Sequence, residues 1–131
     1  MVDAIGSALS GLRAASTRIS VSANNLANQQ STSTRVGGQV LQEPFRPQRV
    51  EQVSQSTGGV LARVRDASPA TIKVYDPTSP AANSEGLVEL PNVDTATELV
   101  NQRIATYDYK ANLTSIKAQD DLQQSLLDIF T

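Results

Sequence analysis

All six prolines of this 131-residue chain, Pro44, Pro47, Pro69, Pro77, Pro80 and Pro91, lie between residues 44 and 91. A long helix can therefore form at either end but cannot run through the middle. The pairs Gly37-Gly38 and Gly58-Gly59 bound and divide the same region. This distribution predicts an α+β chain in three parts: an N-terminal helical arm with a polar linker over 1–34, a small β-rich middle over 35–91, and a long C-terminal helix over 92–131.

In the first arm Ile5, Leu9, Leu12, Ser16, Ile19, Ala23 and Leu26 follow one another at alternating spacings of 4 and 3. That heptad seam predicts a narrow apolar stripe on a helix of roughly 20 to 25 residues, about 35 Å long. The remaining faces carry Ser, Thr, Asn, Gly and Ala with few charges. Small residues there suit a helix surrounded by other helices. The run from Gln29 to Thr34 has no apolar residue, so the helix is expected to end there in a linker that is mobile in the free chain.

The middle reads as short antiparallel strands over Val36 to Gln42, Arg49 to Ser54, Gly59 to Arg65, Thr71 to Tyr75 and Gly86 to Leu90, all rich in β-branched residues. Its expected core is thin: Val40, Val50, Val53, Val60, Val64, Ile72, Val74 and Val88. Gly58-Gly59 is followed by no Lys-Ser pair or helix start, so it reads as a hairpin turn rather than a phosphate loop.

After Pro91 a helix is expected to begin near Asn92, Asp94 or Thr95, with Thr95 and Glu98 at capping-box spacing. Neither Pro nor Gly interrupts it before Ile129. Val100, Ile104, Tyr107 and Ala111 form one apolar row, Tyr109, Leu113 and Ile116 a second, and Leu122, Leu126 and Ile129 close the helix after a shift of register. Two rows allow contact with more than one helix, and the heptads at both ends predict a coiled coil.

Enzyme chemistry has little to work with. The absence of Cys removes thiol nucleophiles and thiolate metal sites, and the absence of His removes the commonest general base and transition-metal ligand. Asp94 and Glu98 lie four apart on one helix face, the spacing of a proton-sharing or cation-holding pair, but acidic residues in a first helical turn more simply complement its dipole. Asp120 and Asp121 near Lys117 read as a solvated ion-pair network, and Asn112-Leu113-Thr114 as a chance match to a glycosylation acceptor in mid-helix. No catalytic, metal or cofactor site is expected. Aromatics at 4% leave little to line a small-molecule pocket, and a net charge of −2 offers no basic excess for nucleic acid. No basic segment precedes a long apolar run at the N-terminus, so no cleaved signal peptide is expected.

Ser7 to Asn28, above all Ala23-Asn24-Asn25-Leu26-Ala27-Asn28, resembles the N-terminal signature of the axial proteins of the bacterial flagellum, the rod, hook and hook-associated subunits. Val74-Tyr75-Asp76-Pro77, Gly86 to Asp94 with Pro91 and Asn92, Glu98-Leu99-Val100 and Tyr109-Lys110-Ala111-Asn112 resemble the C-terminal half of the proximal-rod members, with a distal-rod or hook-type subunit as the alternative. The start, Met1 to Ile5, is shorter than that family's usual leader. The resemblance implies a structural subunit exported by the flagellar type III apparatus and polymerised in the periplasm near the basal-body membrane ring, with itself and other rod subunits as partners. It also implies that the helix seams of Ile5, Leu9, Leu12, Ile19, Leu26, Val100, Ile104, Tyr107, Ala111, Leu113, Ile116, Leu122 and Leu126 are the subunit interfaces.

Overall fold

The computed structural model describes residues 2–36 and 39–130. Two long helices flank six strands: α1 (Val2–Ala27), β1 (Thr34–Val36), β2 (Gln39–Gln42), β3 (Gln48–Ser54), β4 (Val60–Asp66), β5 (Thr71–Tyr75), β6 (Leu87–Pro91) and α2 (Thr95–Phe130). The architecture is α+β. Gly37-Gly38 and the side chains of Val36 and Ile129 lie outside the described residues.

The strands form three separate antiparallel ribbons, β1–β2, β3–β4 and β5–β6. The segment from Val36 to Gln42, expected as one strand, is instead divided: Val36 ends β1 and pairs with Gln39 at the start of β2. β3 and β4 pair without a shift from Gln48↔Asp66 to Ser54↔Val60. Their turn closes through Gly58 and Gly59, both at positive φ, as the sequence suggests. A side chain at Gly59 would also collide with Ser10 of α1, whose Oγ accepts the Val60 N–H at 3.0 Å.

The expected core of the middle is not one. Val88 is buried, but Val40, Val53, Val64, Ile72 and Val74 are exposed and Val50 and Val60 half-buried. A two-stranded ribbon has no third strand and no second layer to cover it, so β-branched residues stay open to solvent. Among the described residues the buried apolar side chains lie mostly along α1, at Ala8, Ala14, Ala15 and Val21, with Ala105 of α2 and, in the middle, Ala81 and Val88.

The polar run after α1 makes hydrogen bonds to its own helix end and to two other segments of the chain. Asn28 caps the helix end through its N–H and side-chain amide to the Asn24 carbonyl. The Thr95 hydroxyl donates to Gln29 Oε1 at 2.6 Å and Ser31 Oγ accepts the Phe45 N–H, whereas Ser33 is buried with its Oγ left without a hydrogen-bond partner. Polar side chains that satisfy backbone groups replace the apolar burial the run lacks.

Candidate functional site

α1 and α2 lie side by side and antiparallel: Gly11 meets Asn112, Arg18 pairs with Asp108, Asn25 bonds Glu98, and Gln29 bonds Thr95. The residues that join them are not the apolar seam. On α1 they are Ala8, Gly11, Ala15, Arg18, Ser22 and Asn25, which recur at spacings of 3 and 4. On α2 they are Glu98, Asn101, Ala105, Asp108 and Asn112, again at 3 and 4. Ala8, Ala15, Ser22, Asn25 and Ala105 are buried. The small side chains allow close approach, and Gly11 has no room for a Cβ beside the Asn112 side chain.

The seam expected to pack, Ile5, Leu9, Leu12, Ile19 and Leu26, sits roughly 100° further round α1. Leu9, Ser16 and Ala23 on it are exposed and the other members half-buried. Α second face of α1, with Ser10, Ala14, Thr17 and Val21, meets the β3–β4 ribbon. On α2, Val100, Ile104, Tyr107 and Ala111 are exposed, as are Tyr109, Leu113, Leu122 and Leu126, while Ile116 is half-buried. The helix pair is thus built with small and polar residues inside and aliphatic and aromatic residues outside, the reverse of a self-sufficient two-helix core.

Asn25 joins the three parts of the chain. At 1% exposure its amide nitrogen donates to Glu98 Oε1 and to the Gln48 carbonyl, both at 2.7 Å, and its Oδ1 accepts the Gln48 N–H at 2.9 Å. One side chain therefore holds the start of β3 in the manner of a neighbouring strand and anchors the first turn of α2. This role was not read from the sequence, where Asn25 stands only as part of a signature.

The other signature residues do local work. Asp94 is the N-cap of α2: its Oδ1 accepts the Ala96 and Thr97 N–H groups and its Oδ2 the Thr97 hydroxyl at 2.8 Å. The Thr97 side-chain bond, then the Thr97 and Ala96 backbone bonds, hold the Asp94 carboxyl below its usual 3.8. The expected Thr95–Glu98 capping box does not form, because Asp94 occupies the cap and Glu98 turns to Asn25. The two carboxylates thus serve different partners, Asp94 the first turn of α2 and Glu98 the Asn25 amide. Asn92 ties the strand exit to the β4–β5 turn through Ala70 and Pro69, and Pro91 is buried. Asn112 donates to the Asp108 carbonyl and packs on Gly11, so it does not serve as an exposed acceptor. Asp120 accepts from Gln124, and no ion pair joins Lys117 to Asp120 or Asp121 among the described residues.

An open groove between α1, α2 and β3 is lined by Arg18, Ser22, Arg49, Glu98 and Asn101 among others, but Arg18 is spent on Asp108, Arg49 on Glu51 and Glu98 on Asn25. Among the described residues no helix is long and apolar enough to cross a membrane.

Comparison with known proteins agrees with the geometry. Residues 84–129 match the family described as flagellar basal body rod FlgEFG protein C-terminal. The flagellar basal-body rod protein FlgC of Yersinia enterocolitica is 36% identical, with 95% of this chain and 92% of that protein aligned. FlgC of Salmonella typhimurium is 39% identical over 85% of this chain and 81% of its own length, and FlgC of Bacillus subtilis 32% identical over 92% and 91%. These relatives favour the rod over a hook-type subunit. The chain belongs to the FlgC family of flagellar basal-body rod proteins, and is a structural rod subunit rather than an enzyme.

Proposed function

We propose that the chain polymerises in the proximal rod through the outward faces of α1 and α2, packing as coiled coils with further copies and other rod subunits, and so transmits torque as part of the drive shaft. The observation that carries this reading is the reversed helix pair: Ala15, Ser22 and Ala105 are spent inside, while Leu9, Val100, Ile104, Tyr107 and Leu122 remain outside. Such faces gain burial only from neighbours, and repeated heterologous contacts generate an open helical assembly. The chain reaches the periplasm through the flagellar type III export apparatus without a cleaved signal peptide and assembles next to the basal-body membrane ring. Support for this last step comes from the relatives' place in the basal-body rod.

Substitution on the seam tests the reading. Leu12→Asp forces an unpaired carboxylate into a desolvated helix contact, at a cost of several kcal/mol, and is expected to abolish rods and swimming. Arg13→Asp, on an exposed face one residue away, is expected to have a mild effect. Equal loss from both, with export intact, contradicts the proposal.

A further inference from the structure

Alternation along the β3–β4 ribbon places Arg49, Glu51 and Val53 on one face together with their cross-strand partners Arg65, Arg63 and Leu61. On the other face Val50, Val60 and Ala62 are half-buried, with the Val60 N–H bonded to Ser10 of α1, although Gln52 and Val64 there stay exposed; Arg49, Arg63 and Arg65 are all exposed, so the arginine face is open to a partner. Glu51 accepts from Arg49 at 3.2 Å and from Arg65 at 3.0 Å, while Arg63 makes no ion pair among the described residues. Three arginines against one glutamate leave this face at +2 on a chain whose net charge is −2. Val53 and Leu61 beside them are each 42% exposed.

The complementary surface is the far end of α2. Beyond Lys117 the sequence carries Asp120, Asp121 and Asp128 and no basic residue. Asp128 stands towards the negative end of the helix dipole, and the last turn has no cation to offset it. Asp121 and Asp128, seven residues apart, share a helix face about 10 Å long, flanked by exposed Leu122 and Leu126. Arg63 and Arg65 are roughly 7 Å apart along β4, within reach of that spacing for long side chains.

The two surfaces lie apart within one molecule. Arg49 follows Gln48, which Asn25 holds at the level of Glu98, whereas Asp121 stands about 35 Å further along α2. We propose that the acidic end of α2 in one copy docks on the Arg49–Arg63–Arg65 face of the next copy, a head-to-tail contact joined by ion pairs and by Leu122 and Leu126 against Val53 and Leu61. A second copy is the occupant that charge complementarity favours, because both halves of the contact are present on every chain and neither can meet the other internally. The proposal rests on the rod-assembly reading and names one contact within it.

Charge exchange tests it. Cells make, as their sole copy, chains carrying Arg63→Glu, Asp121→Arg, or both. Each single reversal is expected to reduce rods per cell about tenfold, and the combination to restore them to within about twofold of the parent. Single reversals that assemble like the parent, or a combination no better than either single, would overturn the contact. If Leu12→Asp abolishes rods while the single reversals do not, assembly through the seams stands and this contact alone fails. Because the chain has no cysteine, Arg63→Cys with Asp121→Cys gives a second readout free of background. Oxidation of isolated rods is expected to yield a ladder of linked copies; monomer alone would contradict the proposal.

Discussion

The side-chain amide of Asn25 donates to Glu98 Oε1 at 2.7 Å while gripping both backbone groups of Gln48. The end of α1, the start of β3 and the start of α2 thus meet at one buried residue. Asn25→Ala strands the Gln48 N–H and carbonyl and removes a charge-assisted bond, so we expect a loss of about 2–4 kcal/mol in denaturant unfolding. Asn25→Asp keeps the shape but sets two carboxylates together. Its instability is therefore expected to be greatest at neutral pH and to ease towards pH 4 or so, as one carboxylate gains a proton. A variant with parent stability at pH 7 would show that the contact contributes little.

Gly11 and Asn112 make a second, sharper test of the helix pair. A Cβ at position 11 collides with the Asn112 amide, which is itself bonded to the Asp108 carbonyl. In the parent, Gly11→Ala sets a helix-propensity gain of about 1 kcal/mol against displacement of that amide, and little net change is expected. In the Asn112→Ala background the collision is gone, and the same substitution is expected to stabilise by about 1 kcal/mol. A double-mutant cycle without coupling would contradict the close approach of the helices.

The N-cap sets a pH dependence. The Asp94 carboxyl is held below 3.8 in the fold by the Thr97 and Ala96 bonds. A depressed folded value means that its contribution is present above pH 3.8 and lost as the pH falls through the folded value. Acid titration of unfolding is expected to show a shallower decline below pH 3.8 for Asp94→Asn, which still caps but does not titrate, than for the parent. Identical slopes would assign the decline to other carboxylates.

Much of the fold was legible because it rests on local rules. Clustered prolines fixed the three parts, β-branched runs marked β3, β4 and β5 within a residue of their observed ends, and Asp94 was among the named caps. The particular face that joins α1 to α2 was not singled out, for a physical reason. Periodicity weighted by hydrophobicity selects Leu9, Leu12 and Ile19, yet Ala8, Gly11, Ala15, Arg18, Ser22 and Asn25 repeat at the same spacing with side chains small or polar enough for helices to approach. A count of small residues at heptad spacing finds that second seam; a count of apolar ones cannot. Val53, Val64 and Ile72 were expected in a core because β-branched residues mark strands, but a strand signal does not say how many layers will cover it. Asn25 was invisible as a junction because both groups it binds on Gln48 are backbone, which leaves no trace in side-chain pattern.

The central claim is that the inner seam builds the subunit and the outer seam builds the rod. Leu9, on the outer seam, is 42% exposed, so Leu9→Asp is expected to unfold within about 1 kcal/mol of the parent. The decisive measurement is a blot for the Leu9→Asp chain in detergent-extracted basal bodies stripped of hook and filament. We expect the variant to be absent from them while present in the soluble periplasmic fraction; its recovery at parent levels in the basal bodies would contradict the account.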